Sequence, residues 1–152
     1  MTSRPNPFQG HFALVKPLID FGTTNQKELD PTIAELVKIR ASQINGCATC
    51  LQMHTREARK NGESEERIYL LDGWRESPLY NDKERAALAW TEALTRVDRE
   101  GGSDEAYQAL SSQFSEEEQV RITLLIGAIN AFNRVNVGLR VPLAGTVGKK
   151  VA

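Results

Sequence analysis

The chain has 152 residues, 40% hydrophobic and 26% charged, and a formal net charge of −1 from 19 basic and 20 acidic side chains. That length fits one domain with a real core, and the composition argues against disorder or low complexity. The charge balance and the lack of a Lys/Arg run argue against a protein that binds nucleic acid by neutralising phosphates.

The opening MTSRPNPFQGHF has no apolar signal core, so no export is inferred and a cytoplasmic protein is expected. The most apolar stretch, ITLLIGAIN from Ile122, is far too short to span a bilayer, and no membrane partner is expected.

Residues 1–12, with Pro5 and Pro7, are expected to form a flexible arm ahead of a helical domain over 13–152. A short helix is predicted near Ala13 to Phe21, restricted or kinked by Pro17, with GTTNQ from Gly22 as a loop. Asp30-Pro31 is a helix start, with Asp as N-cap and Pro at the first helical position. Ile33, Leu36, Val37, Ala41 and Ile44 mark one face of that helix, and Asn45-Gly46 ends it with left-handed conformers. Glu35, Ile39 and Ser42 fall on the other side.

A second helix is expected over Cys47 to Lys60, stopped by Asn61-Gly62, and Ser64 caps a third that ends near Asp72-Gly73. Asn81 and Glu84 have capping-box spacing for a fourth, reaching about Arg96. After the Gly101-Gly102 break a short helix runs from about Asp104 to Gln113. Ser115 and Glu118 form a second capping box and open the most hydrophobic helix, expected to be central and to reach about Val137. The tail GLRVPLAGTVGKK reads as irregular. No segment alternates like a strand, so the class is all-α, a single-domain bundle of six or seven helices.

Several residues have plain readings. His11 reads as a surface or interface residue of the arm. Arg40, lying on an apolar stripe, is expected to pair with an acid in preference to crossing a subunit interface. Asn130, Asn133 and Asn136 recur every third position and read as a hydrogen-bonded polar stripe before a substrate site. Trp74 and Trp90 read as core or interface aromatics. The SEEE at Ser115 is a helix start that complements the macrodipole.

Both cysteines and one of the two histidines lie in NGCATCLQMH, residues 45–54. A lone CxxC outside a secreted disulfide framework reads as redox or metal chemistry. Helical residues turn about 100° each, so Cys47, Cys50 and His54 share one face. That face begins at a helix N-terminus, where free N–H groups and the macrodipole stabilise a thiolate. The spacing lets the sulfurs meet across one turn, and His54 can take or give a proton beside them.

The string ELVKIRASQINGCATCLQMH resembles the alkylhydroperoxidase D (AhpD) core of the carboxymuconolactone decarboxylase superfamily. The shared pattern is Glu, twelve positions on Cys, three on Cys, four on His: Glu35, Cys47, Cys50 and His54. TREARKNG and AFNRVNVGLR are similar to the family as well, so the resemblance covers roughly residues 15–141. It implies an all-helical homo-oligomer, a trimer or hexamer, with thiol peroxidase or disulfide-exchange activity. Cys50 would be peroxidatic, Cys47 resolving, and Glu35 and His54 a proton relay. The best-characterised type has a His inside its CxxC, where this chain has Ala48 and Thr49.

The chemistry expected is peroxiredoxin-type antioxidant turnover. A thiolate becomes a sulfenic acid, condenses with the second thiol to a disulfide, and is reduced by an external dithiol protein or lipoyl-type donor. The substrate would be a hydroperoxide, with no organic cofactor and no nucleic-acid partner. Glu35→Gln is expected to slow thiol oxidation with the fold intact. Rival readings are zinc held by Cys, Cys, His and Glu, a lactone decarboxylase-like enzyme, and a redox-sensing or partner-binding oligomer.

Overall fold

The computed structural model describes residues 3–145. The described residues contain helices and no strand, in the order α1 (Phe12–Gln26), α2 (Pro31–Asn45), α3 (Ala48–Lys60), α4 (Glu65–Leu70), a 3-10 turn (Leu71–Gly73), α5 (Asp82–Thr95), α6 (Val97–Glu100), α7 (Asp104–Gln113) and α8 (Glu116–Leu139). These are the seven expected helices plus the single-turn α6, which fills part of the connection before the Gly101-Gly102 break.

The caps read from sequence are in place. The Asp30 carboxylate accepts from the Thr32 and Ile33 amides at 2.7 and 3.3 Å. Both legs of the Asn81–Glu84 and Ser115–Glu118 boxes are closed, and Ser64 accepts from the Arg67 amide.

Two expectations change. GTTNQ is helical: α1 runs on to Gln26 because buried Gly22 lies against α8, where a Cβ would already touch Ala128 at 3.6 Å. Tertiary packing overrides the weak helix propensity of Gly-Thr-Thr-Asn. The more enclosed helix is α2, not α8. Every residue of α2 from Ile33 to Ser42 is buried, with α3, α5 and α8 packed around it. The Glu35, Ile39 and Ser42 side is therefore as buried as the apolar stripe.

One core cluster joins α2, α5, α7 and α8 through Val37, Trp90, Leu110 and Ile122. A second joins Leu36 and Ile39 to Leu71, Trp74 and Leu88, and a third sets Cys47 and Cys50 against Ala41 and Ile129.

The 24 residues of α8 exceed the apolar stretch seen in the sequence and reach, by length and composition, what a membrane crossing needs. Here Ile122, Leu125, Ile126 and Ile129 are buried in the helical core, and α8 packs on α1, α2 and α5, with Val120, Leu124 and Val137 exposed. Buried Arg40 pairs with an acid, as expected: its Nε lies 2.7 Å from Glu92 Oε1, and its Nη1 reaches Asp72. Trp74 donates to the same Glu92 oxygen at 2.9 Å, and Arg75 to the other. Burial pushes the Glu92 carboxyl up, but these donors outweigh it and hold the carboxyl below its ordinary range.

Residues 3–11 precede the first helix, with His11 exposed, Pro7 buried and Arg4 donating to the Gly138 carbonyl. Of the tail, Gly138 and Leu139 complete α8 and 141–145 is irregular. Residues 1–2 and 146–152 lie outside the described part.

Candidate functional site

Gly46 sits at φ +64°, and the Gly46 and Cys47 amides close back on the Gln43 and Ser42 carbonyls. This turn sets Cys47 at the N-cap of α3, its sulfur accepting from the Cys50 amide at 3.3 Å. Cys47 and Cys50 form a disulfide with Cα atoms 5.4 Å apart, inside the range that such bridges span. Both are fully buried.

One turn on, His54 points back at α2, where its Nδ1 lies 3.1 Å from Glu35 Oε2. A carboxylate can only accept, so His54 Nδ1 is the donor in this contact. The other Glu35 oxygen accepts from Lys38 Nζ at 2.5 Å, and Lys38 also donates to Gln26 Oε1 at 2.9 Å. Burial pushes the Glu35 carboxyl up; the His54 hydrogen bond and the Lys38 ammonium outweigh it and hold the carboxyl below its usual range. The result is a buried Lys38–Glu35–His54 chain that keeps Glu35 anionic and orients the His54 ring through Nδ1.

On the far side, Asn136 Nδ2 donates to Cys50 Sγ at 3.2 Å. Asn136 is held in the last turn of α8. Its carbonyl accepts from the Val141 amide at 3.0 Å beyond Arg140, which takes the left-handed φ of 52°. Thr49 then donates to the Val141 carbonyl at 2.8 Å, tying the end of α8 to the first turn of α3. A cavity of about 490 Å³ opens beside these groups, between α1, α2, α3 and α8. Its walls include Ile19, Leu125, Ile129 and Phe132, and its polar members include Lys38, His54, Thr49 and Asn136.

The structure thus gathers Glu35, Cys47, Cys50 and His54 in one place. Sequence reasoning missed Lys38 and Gln26, and read Asn136 as part of a polar stripe in preference to a substrate role. Lys38 stood three residues after Glu35, the spacing of a helical ion pair. Gln26 was hidden in the supposed loop. The asparagine stripe divides. Asn130 and Asn133 are structural, bonding Asn45, Thr95 and Ser42; Asn136 reaches the sulfur. Among the described residues no group of three or more His, Cys, Asp or Glu side chains is arranged to hold a metal ion.

Residues 18–93 match the model of the carboxymuconolactone decarboxylase family. The uncharacterized Bacillus subtilis protein YdfG is 42% identical over 116 residues, covering 76% of this chain and 79% of YdfG. The uncharacterized Escherichia coli protein YnjA is 28% identical over 134 residues, covering 88% of this chain and 73% of YnjA. The crystal structure of ATU0492 from Agrobacterium tumefaciens superposes with a TM-score of 0.86 at 41% identity, over 93% of this chain and 98% of that one. ATU0492 is of unknown function, with antioxidant defence protein AhpD as its suggested assignment.

Proposed function

The chain belongs to the carboxymuconolactone decarboxylase family, and from that membership and the site's geometry we propose a thiol-dependent hydroperoxide reductase that cycles Cys47 and Cys50 between dithiol and disulfide. The observation that carries the reading is the Cys47–Cys50 pair, held at the start of α3 beside the Glu35–His54 hydrogen bond and the apolar cavity. The antioxidant role suggested for ATU0492 agrees with it.

In the reduced enzyme His54 Nε2 takes the Cys50 proton, and Glu35 stabilises the imidazolium. The Cys50 thiolate attacks the terminal oxygen of R–O–O–H. The O–O bond breaks, Cys50 becomes a sulfenic acid, and the leaving alkoxide takes the imidazolium proton to become ROH. Cys47 then gives its proton to His54 and attacks the Cys50 sulfur. Hydroxide leaves with that proton as water, and the disulfide forms. An external dithiol restores both thiols by exchange. In sum, ROOH and one dithiol become ROH, water and one disulfide. The Cys50 amide that caps the Cys47 sulfur favours its thiolate for the second attack.

The test follows hydroperoxide consumption with a dithiol donor for the wild type, Cys50→Ser and Cys47→Ser. Loss of turnover in both variants is expected. Equal rates in all three would overturn the proposal, and turnover of a carboxylated lactone that survives loss of both thiols would replace it.

A further inference from the structure

Asn136 stands out among the buried polar groups. It is only 6% exposed, its Nδ2 donates to Cys50 Sγ at 3.2 Å, and its Oδ1 is buried without a hydrogen-bond partner. A buried amide oxygen left unpaired carries a desolvation cost, so it calls for an explanation. The amide cannot relieve it by turning over. A disulfide sulfur has no proton to give, so the N–H is the group set on Cys50 and the oxygen is left without a donor. Asn136 also borders the cavity beside His54. The Arg140 turn and the Thr49–Val141 hydrogen bond clamp its helix end against α3.

We propose that Asn136 is a catalytic residue that holds the Cys50 thiolate with its side-chain N–H and accepts the O–H of a hydroperoxide on its Oδ1. This rests on the dithiol reading above. Both atoms hang on one carbon, so a hydroxyl bound at Oδ1 sits beside the sulfur that attacks it. The hydroperoxide offers one O–H, and it lies on the terminal oxygen that Cys50 takes. As the S–O bond forms and the O–O bond breaks, that hydroxyl becomes the Cys50 sulfenic hydroxyl. It keeps its hydrogen bond to Oδ1, and RO⁻ leaves toward His54. In the oxidised protein, where no sulfenic hydroxyl occupies Oδ1, the matching alcohol offers a hydroxyl donor of the same kind to that acceptor.

Two measurements that need no turnover test this. The first is the pH dependence of iodoacetamide alkylation in a Cys47→Ser background, where Cys50 is the sole thiol. Asn136→Ala is expected to raise the Cys50 thiol pKa by about one to two units, the equivalent of one hydrogen bond to a charged group. An unshifted profile would overturn the donor role. The second is calorimetric binding of cumyl alcohol to the oxidised protein, in which Oδ1 is unpartnered. Asn136→Ala is expected to weaken it between about twofold and tenfold; unchanged affinity would overturn the acceptor role.

Asn136→Asp preserves the shape and an acceptor but removes the donor, and it covers the case in which the alanine variant does not fold. It is expected to shift the alkylation profile at least as far while keeping the alcohol affinity, and the opposite pattern would refute the assignment. With turnover as a third readout, Asn136→Ala is expected to lower kcat/KM for cumene hydroperoxide about tenfold or more. A wild type without peroxide turnover but with both shifts would sink the peroxidase reading and leave the two contacts of Asn136 standing.

Discussion

Replacing Glu35 by Gln removes the partner of a buried cation as well as a member of a proton relay. Lys38 is 7% exposed, and its ammonium is held by Glu35 Oε1 at 2.5 Å and Gln26 Oε1 at 2.9 Å. Breaking a buried ion pair by removing one partner costs about 3–5 kcal/mol. Gln26 still accepts from Lys38, and Gln at 35 can still accept from His54, so a loss near about 3 kcal/mol is expected. For a domain of this length that is about 6–12 °C in Tm. The burial of Lys38 thus adds a stability cost to the sequence-based expectation that Glu35→Gln slows thiol oxidation with the fold intact. Adding Lys38→Met removes the stranded ammonium, so the double variant is expected to recover about 2 kcal/mol of the loss. Urea unfolding of the wild type, the two single variants and the double variant closes the cycle. A double variant no more stable than Glu35→Gln would refute the claim that the cost lies in the unpaired lysine. In the restored double variant, Cys50 oxidation is expected to remain about tenfold or more slower, because the anion opposite His54 is still missing.

Acid provides a second check. Glu35 and Glu92 both have folded-state values below their unfolded ones. Between the two values the unfolded chain binds more protons, so stability rises with pH there. Their contribution is complete above the unfolded carboxylate value of about 4.3 and is lost as pH falls through the folded values. Glu92→Gln is expected to lower the Tm at neutral pH and flatten its fall below about pH 4.3; an unchanged acid slope would contradict this. Gly46→Ala would meet no atom within 4 Å, so its cost is that of the left-handed backbone alone, about 1 kcal/mol, readable as about 2–4 °C in Tm. A larger loss would mean that the turn is also crowded. Thr49→Val removes the hydrogen bond to the Val141 carbonyl and is expected to speed amide exchange over residues 137–141; unchanged protection would show that the clamp lies elsewhere.

Local chemistry was legible in the sequence, because caps and turns need particular residues at fixed offsets. Asp30-Pro31, both capping boxes, Gly46 and the Cys47–Cys50–His54 face follow from backbone geometry that holds within a turn or two. Lys38 and Asn136 were harder because their roles depend on partners elsewhere in the chain. Lys38 on a helix reads as a solvated charge until α1 extends far enough to bring Gln26 over it. Asn136 looked like Asn130 and Asn133 at the same spacing, and only the placement of α8 against α3 distinguishes them.

The sequence alone therefore determined an all-helical chain, where its helices begin, and which four residues carry the family pattern: Glu35, Cys47, Cys50 and His54. Tertiary structure decided what those residues touch. Continuing α1 past Gly22, enclosing α2 on every side and bending the end of α8 back onto Thr49 together place Lys38 behind Glu35, Asn136 on Cys50 and an apolar cavity beside both. The physical reason is range. A hydrogen bond within one helical turn is written in adjacent letters, whereas a buried charge or an unpaired amide gains its meaning from groups that only packing brings near.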